Sequence, residues 1–295
     1  MRYFCKKTSM SENSNQIKDG SLVITERTID VKEIIRSRNK RLAKLLPGFI
    51  INYLRKILHE KEVNKTIYDN REKHGLEMVD AIIDMFDANI TVEGIENIEN
   101  ESRFLLAANH PLGGLDGIAL MQAVGRVHPN IRFPVNDFLL YLPNLKELFI
   151  PISKSGKQSI QGVKEFEKTL ASDVNVLYFP SGLASRKIKG EIMDLEWKKT
   201  FIQKAKSHHR NVIPTYVSGR NSNRFYRIAK IRKFFGIKAN IEMLYLSDEM
   251  FRQKDKELKI IFGKPIPYTQ FDKSKKDIEW AKYVKQIVYS LQQNM

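Results

Sequence analysis

Cysteine is almost absent: one residue, Cys5, in 295. That excludes a disulfide framework and a cysteine-built metal cluster, and it fits a reducing compartment. Acidic residues are scarce beside basic ones, 34 Asp and Glu against 50 Lys and Arg, for a formal charge of +16. Such a balance points to an anionic partner: phospholipid head groups, an acidic carrier protein, a phosphate-bearing substrate or nucleic acid. No apolar run approaches the roughly 18 residues of a membrane-spanning helix. The opening Met1-Arg-Tyr-Phe-Cys-Lys-Lys7 lacks the apolar core of a signal peptide, so a cytoplasmic protein is expected. There are no repeats, no low-complexity tract, no phosphate-cradling Gly-x-x-x-x-Gly-Lys and no nucleophile elbow. His208-His209 lack cysteine or carboxylate at ligand spacing, and adjacent histidines point apart on a helix, so no metal site is expected.

What is present is a chain long enough for one large α/β domain or two small ones, with 42% hydrophobic residues. Its central stretch is Phe104-Leu-Leu-Ala-Ala-Asn-His-Pro-Leu-Gly-Gly-Leu-Asp-Gly117. Phe104 to Ala108 reads as a buried strand and Ile118 to Val124 as a helix. Between them a glycine-rich turn carries His110, with Asp116 close behind. Open α/β sheets build their sites at the carboxyl ends of strands, where this turn falls. Asp116 can hold one imidazole nitrogen of His110 and leave the other as a base. The plain alternative is a His that caps a turn and an Asp that caps the next helix.

Residues 1 to about 25 are polar and read as a loose leader. Residues 26–88 read as an N-terminal amphipathic helical region, and 89–295 as the α/β domain. Val31 to Arg41 is a charged helical stretch. Leu42 to Leu58 has a wide apolar stripe at helical spacing, broken at Pro47-Gly48 and flanked by Lys44, Arg55 and Lys56. It packs on the core or lies in a membrane interface. Further helices are expected at Glu72–Ala88, Ser159–Leu170, Trp197–Ser207 and Lys276–Gln292. Strands are expected at Ile90–Gly94, Ile131–Val135, Phe149–Ile152, Val174–Phe179, Val212–Val217, Asn240–Leu246 and Glu257–Phe262. Ser153, Lys154 and Lys157 follow one of these strands, either as an anion site or as a solvated basic loop. Arg224 to Lys238 interleaves cations with aromatics; this suits nucleic acid and, on a helix, equally a membrane surface or an acidic partner, and no recognised nucleic-acid fingerprint accompanies it.

Several segments, in order, resemble the motifs of the phospholipid and glycerol acyltransferase superfamily, the PlsC-like enzymes. Asn109-His110 with Asp116 resembles the first motif, His-x4-Asp, although here five residues separate the pair. Gly113 and Gly114 can absorb the extra residue as a bulge. Phe149-Ile-Pro-Ile-Ser-Lys-Ser-Gly156 stands where the second motif is expected. Tyr178-Phe-Pro-Ser-Gly-Leu-Ala-Ser-Arg186 resembles the third, Phe-Pro-Glu-Gly-Thr-Arg-Ser, with Ser181 for the Glu and the Arg displaced to Arg186. Glu191, Asp194 or Glu196 can return the missing negative charge from the next loop. Val212-Ile-Pro-Thr-Tyr-Val217 and Phe262-Gly-Lys-Pro-Ile266 are similar to later motifs. The resemblance spans roughly residues 90 to 268.

The resemblance implies a mixed, largely parallel sheet flanked by helices and an O-acyltransferase without a cofactor. An acyl-carrier protein or coenzyme A thioester would be the donor. The acceptor would be lysophosphatidate or a lyso-aminolipid, such as an ornithine- or glycine-lipid precursor. His110 would be the base and Asp116 its orienting partner. Asn109 would support the turn, and amides of Gly113, Gly114 and Gly182 would meet the oxyanion. Ser153, Lys154, Ser181 and Arg186 would hold the acceptor. The protein would sit peripherally on the anionic inner face of the cell membrane. A different class also accounts for the charge: a non-catalytic basic protein that binds an anionic membrane or nucleic acid. That class leaves the ordered motifs unexplained.

Overall fold

The computed structural model describes residues 29–135, 139–152 and 157–292. Among the described residues five helices come first: α1 (Val31–Arg38), α2 (Lys40–Leu45), α3 (Gly48–Ile57), α4 (Glu60–Asp69) and α5 (Gly75–Phe86). Local chemistry sets their starts. The Asp30 carboxylate accepts the Lys32 and Glu33 amides at the head of α1, and the Asn39 side chain accepts the Leu42 amide at the head of α2. Pro47 fixes φ at −60° and opens α3. The stripe expected over Leu42–Leu58 therefore splits at the Pro-Gly pair, as its sequence indicates. Ile51 and Ile57 turn inward, while Leu45 and Phe49 remain exposed. Helix α5 buries Met78, Val79, Ile82, Ile83 and Phe86 in the same cluster as the sheet.

The sheet elements follow in the order β1 (Asn89–Glu93), α6 (Glu96–Glu99), β2 (Phe104–Ala108), α7 (Leu115–Gly125), β3 (Ile131–Val135) and β4 (Phe149–Pro151). Two 3-10 turns, Leu139–Tyr141 and Pro143–Leu148, lead into β4. Then come α8 (Lys157–Ala171), β5 (Asn175–Tyr178), the hairpin β6 (Arg186–Ile188) and β7 (Glu191–Met193), α9 (Thr200–Ser207) and β8 (Asn211–Val217). The chain closes with α10 (Asn223–Phe234), α11 (Leu246–Phe251), β9 (Glu257–Phe262) and α12 (Asp277–Leu291). Seven strands form one sheet in the order β1-β9-β8-β2-β5-β3-β4. Every pairing in it is parallel except β8 with β9. This is the mixed, largely parallel α/β sheet that the sequence indicates.

Strand β2 lies between β8 and β5 and is buried along its whole length. Its side chains alternate between the two faces. Phe104, Leu106 and Ala108 join α5 and α7 in one cluster, and Leu105 and Ala107 join Phe166, Phe201 and Val284 of α8, α9 and α12 in the other. A strand covered on both faces must be apolar throughout, which is why Phe104–Ala108 shows no alternation in sequence.

One element and one buried side chain depart from expectation. Asn240–Leu246 is not a strand: Ile241–Tyr245 is a 3-10 turn. Glu242 points inward to Arg186 and Arg232, while Ile241 and Leu244, three residues apart, face out together. The period is three rather than two, and the buried ion pairs decide it. Arg210 carried no signal in the sequence, yet it is fully buried. Its guanidinium donates to the carbonyls of Thr169, Leu170 and Ser172 at the end of α8, and to those of Phe104 and Val174. It shares the end carbonyls of that helix with Arg103, which also donates to Leu170, and with Ser172, which also donates to Thr169. Burial, aided by the nearby Arg103 charge and opposed by Asp173, pushes its pKa down to about 10.

Candidate active site

The carboxyl ends of β2, β5 and β8 converge on one turn. Asn109 leaves β2 with its side-chain amide clamped to the end of β8: its nitrogen donates to the Val217 carbonyl at 2.8 Å, and its oxygen accepts the Val217 amide at 2.7 Å. That clamp holds β2 and β8 together where backbone pairing ends. His110 follows. Its Nδ1 lies 2.9 Å from Asp116 Oδ2, and its ring stacks on Phe179 with centroids 3.9 Å apart. Nε2 has no hydrogen-bond partner among the described residues.

The extra residue between His110 and Asp116 is absorbed in the glycine turn. Gly113 takes φ +81°, the left-handed region that favours glycine. A Cβ there would stand 2.7 Å from the Leu246 side chain and 3.0 Å from Ala184 Cβ. With this bulge the turn closes around the Asp116 carboxylate. Oδ2 accepts the Leu112 and Gly113 amides as well as His110; Oδ1 accepts the Gly114 and Gly117 amides. Asp116 is fully buried. Burial pushes its pKa up, but His110 and the backbone amides outweigh that and hold it below the ordinary carboxylate value.

The His110 peptide is also gripped from the segment between β5 and α9, by residues on either side of the β6–β7 hairpin. Its amide donates to Asp194 Oδ1 at 3.1 Å, and its carbonyl accepts the Ser185 amide at 2.7 Å. Asp194 Oδ1 further accepts the Ser185 hydroxyl, and Oδ2 accepts the Trp197 indole N–H. Burial raises the Asp194 pKa, and the hydrogen bonds from Ser185, Trp197 and His110 only partly offset it. Of the three acidic residues expected to return the negative charge, Asp194 alone is buried against the His110 backbone; Glu191, in β7, and Glu196 are exposed.

The remaining expected site residues divide. The Gly113 and Gly114 amides are spent on Asp116, and the Gly182 amide donates to the Phe179 carbonyl at 3.0 Å. All three sit in the turns that frame His110, with acceptors already in place. The Ser181 hydroxyl closes its own turn on the Leu183 carbonyl. Arg186 does not turn toward His110. Its guanidinium pairs with buried Glu242 at 2.8 Å, also donates to the Ala184 carbonyl, and lies over the Phe225 ring. Ser153 and Lys154 lie outside the described residues. A cation that the motifs did not mark stands beside the third-motif turn: Lys198 Nζ lies 3.4 Å from where a Cβ on Gly182 would be. Among the described residues no group of three or more His, Cys, Asp or Glu can hold a metal ion.

The model of a family described as Acyltransferase matches residues 33–295. The chain belongs to this acyltransferase family. Two relatives agree with it. A lyso-glycine lipid O-acyltransferase of Bacteroides thetaiotaomicron is 45% identical over 264 residues, covering 89% of this chain and 97% of the relative. One of the same name from Phocaeicola vulgatus is 41% identical over 283 residues, covering 96% and 100%. Among solved structures, the 1-acyl-sn-glycerophosphate acyltransferase PlsC of Thermotoga maritima aligns with TM-score 0.45 and 16% identity, over 83% of this chain and 92% of that one. The protein is thus an acyltransferase enzyme, and a purely non-catalytic basic protein is set aside.

The motifs led to His110 and Asp116 directly. They did not lead to Phe179 as the stacking partner of His110, to Lys198, or to Asp194 in preference to its neighbours. Asp194 is 84 residues from His110, and no local pattern links the two.

Proposed function

We propose that this acyltransferase moves a fatty acyl group from a thioester to the hydroxyl of a lyso-lipid, with a lyso-glycine lipid as acceptor. The observation that carries the reading is the 2.9 Å contact between His110 Nδ1 and a buried Asp116, with Nε2 unpartnered among the described residues, in a chain of this family. The names of the two relatives support the acceptor.

In this mechanism Nε2 takes the proton from the acceptor hydroxyl as its oxygen attacks the thioester carbonyl. Asp116 holds the imidazole so that Nε2 is the free nitrogen, and it stabilises the imidazolium once formed. The tetrahedral intermediate collapses, the C–S bond breaks, and the imidazolium returns the proton to the departing thiolate. Ester and thiol are the products, and no covalent enzyme intermediate is needed. The donor is an acyl-carrier protein or coenzyme A thioester. Lys198, beside the Pro180–Gly182 turn, is placed to meet an anionic group such as the carboxylate of a glycine lipid. Asp194 acts through the His110 backbone as a positioning residue. No helix among the described residues is long and apolar enough to cross a membrane. The exposed Leu42, Leu45 and Phe49, with Lys40, Arg41 and Lys44 around them, support peripheral docking on an anionic leaflet.

The test is acyl transfer by purified protein. Acyl-carrier-protein and coenzyme A thioesters are offered with lyso-glycine lipid, lyso-ornithine lipid and lysophosphatidate, and products are read by mass spectrometry. The expected result is a diacylated glycine lipid that disappears with His110→Ala. Wild-type turnover by that variant would defeat the mechanism, and preference for another acceptor would defeat the substrate assignment.

A further inference from the structure

The most exposed apolar side chains of the described residues include a pair far along the chain from α2 and α3. At the end of α10, Phe234 is 83% exposed and Phe235 is 70% exposed, packed edge to face at 5.2 Å. Ile231, Ile237 and Ile241 are exposed around them. Two adjacent phenylalanines in water are unfavourable unless something covers them.

The charge around the pair is of one sign. Between Arg224 and Lys238 there are six cations and no carboxylate. Arg224 and Arg232 are committed, to Asp248 and Glu242. Arg227, Lys230, Lys233 and Lys238 are exposed and have no ion-pair partner among the described residues. The segment is also held firmly. Glu242, fully buried, binds Arg232 on α10 and Arg186 on β6. The Tyr53 hydroxyl on α3 lies 2.9 Å from that of Tyr245 and 3.3 Å from an Arg224 nitrogen. The second apolar surface is thus tied to the N-terminal helices on one side and to the loop that grips His110 on the other.

We infer that the end of α10, with Phe234 and Phe235 at its tip, is a second membrane-docking surface, occupied by an anionic lipid leaflet. The aromatic pair enters the acyl boundary, and Lys230, Lys233, Arg227 and Lys238 rest on acidic head groups. A protein partner would have to supply a matching acidic rim. A leaflet carries both the acidic head groups and the apolar layer, and it is where a lyso-lipid acceptor resides. The inference rests on the membrane-surface reading above.

The experiment is flotation of the full chain with vesicles of equimolar phosphatidylglycerol and phosphatidylethanolamine, across a salt series. Phe234→Ser/Phe235→Ser is expected to lower partitioning by about tenfold or more at every salt concentration. Lys230→Gln/Lys233→Gln is expected to weaken it at low salt and to flatten the salt dependence. Phe235→Trp is a reporter: Trp197 and Trp280 are buried, so a blue shift on vesicle addition reads the new indole. Wild-type partitioning by both double variants, or no shift from the tryptophan, would overturn the inference. So would self-association that the Phe234→Ser/Phe235→Ser variant abolishes, with vesicle binding unchanged. Transfer to a short-chain, water-dispersed acceptor should stay at the wild-type level in these variants. If the wild type transfers nothing to any acceptor yet binds vesicles through Phe234, the functional reading fails and the surface stands.

Discussion

Replacing Asp116 by Asn keeps the size of a fully buried side chain and changes one oxygen into an NH2 group. Among the described residues five groups hydrogen-bond to this carboxylate: the His110 ring and the amides of Leu112, Gly113, Gly114 and Gly117. With the NH2 at the Oδ1 position, the Gly114 and Gly117 amides face a donor. With it at Oδ2, the Leu112 and Gly113 amides do, and the NH2 can bond His110 Nδ1 only if the ring proton moves to Nε2. Either way two charge-assisted bonds are lost, at about 1.5–3 kcal/mol each, so about 3–6 kcal/mol of stability. The catalytic effect separates the two placements. An inverted tautomer removes the base, as when a triad aspartate becomes asparagine, and costs about 10^4-fold. Loss of the charge alone leaves the base but weakens it, at about 10^2-fold. The assay is kcat/KM for acyl transfer at saturating thioester, with thermal unfolding in parallel. His110→Ala and the double variant complete the cycle; residues acting as one unit make the double variant no worse than His110→Ala. Asp116→Asn turnover within about threefold of wild type would refute the orienting role of Asp116.

Four further outcomes follow from the same contacts. Gly113→Ala forces a side chain into φ +81° and against Leu246, and should cost about 1–2 kcal/mol from the backbone alone, with lowered kcat, read by urea unfolding and turnover. Arg210→Met removes the donor to the Ser172 and Val174 carbonyls, while Arg103 still reaches Leu170 and Ser172 still reaches Thr169; at about 1–3 kcal/mol for each acceptor left unpaired it should cost about 2–6 kcal/mol, with the acceptor KM unchanged. Asp194→Asn retains an oxygen for the His110 amide and Ser185, so its kcat should stay well above that of Asp194→Ala; equal losses would remove the positioning role. Asp116, held below its ordinary value of 3.8, contributes stability above that pH and loses it as pH falls through the lower folded value. Asp194 has the opposite sign: raised by burial, it costs stability as pH rises through its folded value, so Asp194→Asn should shift the acid limb of the unfolding curve and Asp116→Asn should flatten it.

Much of this architecture is local and was therefore legible. A five-residue apolar strand, a Pro-Gly break and a glycine turn with a histidine and an aspartate are short-range patterns, set by periodicity, by proline's fixed φ and by glycine's freedom. They sufficed to place β2, the α2–α3 break, and His110 with Asp116. Even the extra residue between that pair had its remedy in the adjacent glycines.

What the tertiary structure decided concerns buried polar groups whose partners are distant in sequence. Asp194 reaches the His110 amide across 84 residues. Glu242 draws Arg186 away from the turn that the motif order suggested and converts an apparent strand into a 3-10 turn. Arg210 vanishes into the core to close a helix that ends 39 positions earlier. The oxyanion amides expected at Gly113, Gly114 and Gly182 proved to have acceptors already. A side chain's own sequence neighbourhood sets its backbone preference and its burial. Which buried charge it must satisfy depends on what the fold brings alongside, and an unsatisfied buried charge is costly enough to overrule local preference.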